Sequence, residues 1–182
     1  GQALTGRTRA PSEPTQQMES LTRLAKLVAR LRSPEGCPWD RAQTFSSLKP
    51  FLLEECYEVL EALDKADCEA LAAELGDLLL QVFLQAQVAR EQGLFDIQQV
   101  AAQIADKLER RHPHVFGQAR ASSPSEVLEL WRRLKQEERA QPGAAESQLA
   151  GIPPSLPALQ RAQKLQARAA ASGFDWQAAA GA

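Results

Sequence analysis

Aromatic side chains are scarce in this chain, at 5% of its 182 residues. Strands are built preferentially from aromatic and β-branched residues, whereas Ala, Leu, Gln, Glu and Arg dominate here and favour helix. An all-α fold is therefore expected. Cysteine is limited to Cys37, Cys56 and Cys68, an odd number with two members inside helical patterns. That argues against a secreted disulfide framework and for buried thiols in a reducing cytoplasm. No apolar run approaches the roughly 18–20 residues needed to cross a bilayer, and the N-terminus lacks a basic-then-apolar signal pattern. No membrane partner is expected, and the location expected is cytoplasmic. The formal net charge of -2 supplies no long-range field to gather nucleic acid, which argues against generic nucleic-acid binding. Met18 is the single methionine, and residues 1–17 are set aside as a polar N-terminal tail or a remnant of expression.

What is present fits one globular domain: 44% hydrophobic and 24% charged residues. Leu21, Leu24, Leu27, Val28 and Leu31 recur every three or four residues, so the spacing predicts an amphipathic helix from Met18 to Arg32. The stretch "SPEGCPWDRAQTFSS" reads as a loop. A second helix is expected to start near Ser46 or Ser47, with a hydroxyl cap and Pro50 in its first turn, and to run to about Leu63. Asp67 should cap a third helix that reaches about Gln92, where Gly93 ends it. Asp96 with Gln99 is a capping-box signature for a fourth helix up to Pro113, with Ile97, Val100, Ile104 and Leu108 facing the core. Ser123, Pro124 and Glu126 repeat that logic for a fifth, to about Ala140. "QPGAAESQLAGIPPSLP" reads as a linker before a last, peripheral helix over residues 158–171. The expected division is a helical catalytic domain over 18–140 followed by a linker and helix over 141–182.

The chemistry-bearing feature lies in the most apolar region. Glu54, Glu55 and Glu58 sit on the second helix and Glu74 and Asp77 on the third, among leucines that suggest burial of both helices on most sides. Glu55 with Glu58, and Glu74 with Asp77, each share a helix face. A short connection would make the two helices an antiparallel hairpin with the pairs opposed. A solvated acidic face is the ordinary explanation of such clusters, but across residues 50–80 the only base is Lys65. Converging, poorly solvated carboxylates need a cation, and an all-oxygen set selects a hard one, Mg²⁺ or Mn²⁺. Di-iron bundles need Glu-x-x-His pairs, whereas His112 and His114 lie outside both helices, where they are expected to cap a helix exit. Lys107, Arg110 and Arg111 form one cationic edge, suited either to their helix's C-terminal dipole or to a polyphosphate.

In these residues the chain resembles the MazG family of nucleoside triphosphate pyrophosphohydrolases. "EECYE" and "ELGD", with fifteen residues between Glu58 and Glu74, fit the pattern E-E-x-x-E … E-x-x-D. "GCPWDRAQTFSSLKPFLLEE", "KLERRHPHVFG", "VLELWRRLK" and "GIPPSLPALQRAQKLQARAAASGFDW" accompany it in order. The resemblance implies an all-α fold of antiparallel helix hairpins forming a four-helix-bundle-type core, completed by association as a homodimer or higher homo-oligomer. It implies cleavage of NTPs or dNTPs to the monophosphate and pyrophosphate, in the service of nucleotide-pool sanitation. Glu55, Glu58, Glu74 and Asp77 would hold Mg²⁺, and Glu54 would bind a further ion or orient the attacking water. Lys107 and Arg111, with Arg110, would bind the triphosphate, and Trp131 with Lys135 would lie near the base or sugar. Some members carry two copies of the pattern and this chain carries one; Cys56 stands where alanine is frequent.

On this reading the reaction is metal-assisted hydrolysis at the α-phosphorus, with Glu54 or a metal-bound hydroxide as the proton acceptor and Glu55 as the other catalytic candidate. A dUTPase-like or phosphoribosyl-ATP pyrophosphohydrolase activity is the sister alternative. A non-enzymatic helical interaction module is the alternative from another class. Trp131 could equally be a core aromatic, and Trp39 is either a substrate-loop residue or an anchor for its loop.

Overall fold

The computed structural model describes residues 13–139 and 151–174. Most of the expected N-terminal tail and of the linker therefore lies outside the described residues. The described residues form eight helices: α1 (Pro14–Leu31), α2 (Pro38–Ala42), α3 (Lys49–Asp64), α4 (Cys68–Glu91), α5 (Ile97–Arg111), α6 (Pro113–Phe116), α7 (Pro124–Arg139) and α8 (Ala158–Ala171). The all-α expectation holds. Two compact units divide the chain after Leu108.

In the first unit α3 packs on α4 and α1 packs on α4. The α3–α4 connection is closed by local chemistry. Ala66 adopts a left-handed φ of 54°. The Asp67 amide donates to the Ala62 carbonyl at 3.2 Å and the Ala66 amide to that of Leu63 at 3.1 Å, the two bonds of a Schellman C-cap. Asp67 thus donates to the old helix and caps the new one. Its Oδ1 accepts from the amides of Glu69 at 2.9 Å and Ala70 at 3.1 Å. Three residues thus reverse the chain and fix the antiparallel register.

The apolar core is at the other end of the hairpin. Val28, Leu48, Phe83, Leu84 and Val88 are buried together, with Phe45 and Phe51 packed against them. Every buried residue of α4 lies at or beyond Gln81, and α3 buries only Ala62. The expectation that both acid-bearing helices are covered on most sides is therefore corrected: Leu53, Leu60, Leu63, Leu75 and Val82 are exposed.

Other local readings need adjusting too. α1 begins at Pro14 rather than Met18, because proline at the first turn and two glutamines continue the helix backwards. The expected loop contains α2, opened by Pro38. Ser47 does not cap α3: its hydroxyl bonds the Thr44 amide at 2.9 Å while the Thr44 hydroxyl accepts from the Ser47 amide, so the pair closes an earlier turn. The reciprocal bonds of Asp96 and Gln99 form as expected, at 3.0 and 2.9 Å. In the second unit the Glu126 amide bonds the Ser123 hydroxyl at 3.3 Å, but the Glu126 carboxylate reaches back to the Ser122 amide instead of that of Ser123. α8 spans the expected residues, and Leu130 of α7 is buried. No described helix is long and apolar enough to cross a membrane.

A bidentate ion pair ties the first unit's loop to its helices. Arg32, its side chain 5% exposed, donates to Glu91 at 2.7 and 2.9 Å and to the carbonyls of Asp40 and Gln43. The guanidinium holds the Glu91 carboxyl below its ordinary value of 4.5, and the Gln87 amide assists. Because the folded value is the lower one, this contribution to stability is complete above the unfolded value and is lost as pH falls through 4.5 toward the folded value. Glu91→Gln should cost about 1–3 kcal/mol at neutral pH, since it leaves a buried guanidinium half-compensated. Urea denaturation at neutral pH and near pH 4 checks both points: the variant should lose less on acidification than the wild type.

Candidate metal centre in the helix hairpin

The turn at Ala66 places the acids by simple counting. Glu58 lies eight residues before it and Glu74 eight after, while Glu55 and Asp77 lie eleven before and after. At about 1.5 Å of rise per residue, each pair sits level across the hairpin. The outcome is a cluster in which one carboxylate oxygen from each of Glu55, Glu58 and Glu74 lies within 4.8 Å of the others. Asp77 adjoins it closely enough to act electrostatically on Glu55. Glu55 and Glu74 are half-buried, whereas Glu58 and Asp77 are exposed, so the cluster is a shallow site at the hairpin surface.

Its electrostatics are those of converging like charge. The Glu55 carboxyl is raised above its ordinary value, first by partial burial, then by repulsion from Asp77 and by a shared hydrogen bond with Glu58 and that residue's charge. The Gln81 side chain, facing Glu55, opposes the rise. Lys65 pairs with Glu61. It is the only base across residues 50–80. The oxygen spacing suits a hard cation: twice an Mg–O bond of about 2.1 Å is about 4.2 Å, so small rotamer changes would close the set around one ion. Glu55, Glu58, Glu74 and Asp77 are the residues that would hold it.

The remaining sequence-derived candidates are more dispersed. Glu54 is exposed and stands outside the triad of converging oxygens. Lys107 lines an open groove of the first unit with Phe95, Val100, Gln103 and Ile104. Arg110, exposed, and Arg111, half-buried, fall in the second unit, as does Trp131. The His112 ring stands edge-on to Trp131 at 5.2 Å and 5.6 Å from His114. His112 occupies the N-cap position of α6 without a side-chain cap bond to that helix. The indole of Trp131 and Nδ1 of His114 are closed to solvent without a partner. Lys135 continues α7, and its side chain lies outside the described residues. Trp39 meets Phe51 edge-on at 5.5 Å, and its carbonyl accepts from Gln43, which fits an anchor. Sequence reasoning passed over Gln81, although its spacing from Glu74 and Asp77, seven and four residues, puts it on the same helix face.

Comparison with known proteins gives a consistent result. Residues 43–116, which contain all five acids and the cationic edge, match the MazG nucleotide pyrophosphohydrolase domain. The chain is 55% identical over 160 residues to the nucleoside triphosphate pyrophosphohydrolase of Escherichia coli K12, covering 87% of this chain and 60% of that protein. It is 46% identical over 153 residues to the nucleoside triphosphate pyrophosphohydrolase/pyrophosphatase MazG of Thermotoga maritima, covering 84% and 58%. A crystal structure of a mazG-related protein from Thermotoga maritima superimposes with a TM-score of 0.54 at 30% identity, covering 63% of this chain and 98% of that one. The chain thus spans about 60% of the length of these curated relatives.

The like-charge cluster has a measurable cost. Without divalent cations, Glu55→Gln should raise the stability by about 0.5–1 kcal/mol, the size of two surface like-charge contacts. Added Mg²⁺ should raise the melting temperature of the wild type more than that of the variant. Thermal denaturation with and without the ion measures both.

Proposed function

Because the chain belongs to the MazG nucleotide pyrophosphohydrolase family, we propose that it hydrolyses nucleoside triphosphates or their deoxy counterparts to the monophosphate and pyrophosphate. The cofactor in this proposal is Mg²⁺, with Mn²⁺ able to substitute. The observation that carries the proposal is the convergence of Glu55, Glu58 and Glu74 oxygens within 4.8 Å beside Asp77.

A bound divalent ion would neutralise charge on the phosphate oxygens and favour ionisation of an attacking water. The protein's share is to hold that ion's ligands on two helices whose register is fixed by the 65–67 turn. Glu54, exposed on the same helix, is the proposed acceptor of the water's proton. Lys107, Arg110 and Arg111 are assigned to the triphosphate, and Trp131 with Lys135 to the base or sugar. Cleavage between the α- and β-phosphates follows from attack at the α-phosphorus. Removal of unwanted nucleotides from a cytoplasmic pool is the proposed role.

Self-association belongs to the same proposal. Leu53, Tyr57 and Leu60 lie on the side of α3 opposite Glu55 and Glu58 and are 57%, 53% and 52% exposed. A stripe of this kind is costly to leave in water, and a second copy of the hairpin would cover it.

Incubation with a panel of NTPs and dNTPs plus Mg²⁺ should release pyrophosphate and the monophosphate; orthophosphate with the diphosphate would reject the assignment. Glu55→Gln and Asp77→Asn should each lower kcat at least about 100-fold with the helical circular dichroism unchanged. Near wild-type turnover in both variants would remove the metal-site reading. Light scattering should give at least twice the monomer mass, and a monomer would contradict self-association.

A further inference from the structure

Gln81 is the feature of the first unit that packing alone explains least. It is 6% exposed, and it and Gln43 are the buried polar side chains among the described residues. Gln43 is satisfied: its amide donates to the Trp39 carbonyl and its Oε1 accepts from the Ser47 hydroxyl. Gln81 is not. Its side chain faces Glu55 closely enough to lower that carboxyl's pKa, while its Oε1 is shut off from solvent with no partner. The flanking Leu79, Leu80, Phe83 and Leu84 all belong to the apolar core or pack against it. A methionine or leucine would fill that space without stranding an acceptor, so stability by itself does not account for an amide here.

Its position does. Gln81 extends the Glu74–Asp77 face of α4 by one turn, at the boundary between the acid cluster and the core. On the α3 side, Glu55 is the acid of the cluster nearest that boundary. We propose that Gln81 is a positioning residue of the acid site: anchored in the core, it donates to Glu55 and holds that carboxylate in the orientation in which it ligates a divalent cation. Ligating carboxylates depend on such outer partners for orientation, and a donor fixed by packing is better placed to supply it than one on a mobile surface chain. The inference rests on the reading of Glu55, Glu58, Glu74 and Asp77 as the cation site.

The test uses the full chain with Gln81→Met and Gln81→Leu, two apolar replacements of similar volume, so that a poor fit of one leaves the other to be measured. Three quantities are read: the metal-free melting temperature, the Mg²⁺ dissociation constant by calorimetry without nucleotide, and kcat at low and at saturating Mg²⁺. A positioning role predicts a melting temperature equal to or above that of wild type, Mg²⁺ binding weakened about 10-fold or more, and a kcat deficit that narrows as Mg²⁺ rises. Mg²⁺ affinity within twofold of wild type in a folded variant would overturn the inference, and so would a lower metal-free melting temperature with affinity unchanged. Absence of Mg²⁺ binding by the wild type would instead overturn the cation-site reading beneath it.

Discussion

The three-residue reversal between α3 and α4 is the constraint on which the site depends. Lys65 ends one helix, Ala66 takes the left-handed conformation that lets the chain double back, and Asp67 both closes the old helix and caps the new one. A non-glycine residue there is held at a cost of about 1–2 kcal/mol, and two Schellman bonds with the Asp67 cap offset it. One more or one fewer residue in this turn would rotate α4 by about 100° relative to α3. Glu74 and Asp77 would then leave the face that meets Glu55 and Glu58. The acid cluster is thus a property of the register, and the register is a property of the turn.

Stability and chemistry occupy opposite halves of the hairpin. Beyond Gln81, α4 is buried against α1 and the segment around Leu48, and Arg32 with Glu91 clamps the 33–48 stretch to that end. Before Gln81, α4 carries acids and exposed apolar residues. Like charges held apart from the main core can repel one another without unravelling it, and binding can use the repulsion that folding tolerates. Gln81 stands where the two halves meet, which is why a core position with an unmet acceptor lies one helical turn from the cluster.

Much of the local structure was legible because its causes are local. The cap at Asp67, the reciprocal pair of Asp96 and Gln99, the start of α7 after Ser123 and the span of α8 each depend on residues within a few positions of one another. Ser47 misled for the same reason: a hydroxyl next to a helix start has several amides in reach, and Thr44 competed successfully for it. Gln81 went unnoticed because periodicity arguments sort residues into apolar and polar, and a buried amide is counted as a surface residue until its neighbours are known. Burial of α3 was overread from leucines at Leu53, Leu60 and Leu63, whose exposure depends on what else is present to cover them.

The sequence by itself determined the helical class, most helix ends and the identity of the acids, since each follows from propensity, capping chemistry and a spacing of three or four along one helix. It also determined that local bases would not neutralise those acids, because residues 50–80 hold only Lys65. Only the tertiary structure decided that Glu55, Glu58 and Glu74 bring their oxygens within 4.8 Å, that the cluster is shallow, and that Gln81 is buried beside it. Those are distances between helices. They are set by the turn's backbone conformation and by the packing of α4 on the core, neither of which can be read from one helix at a time.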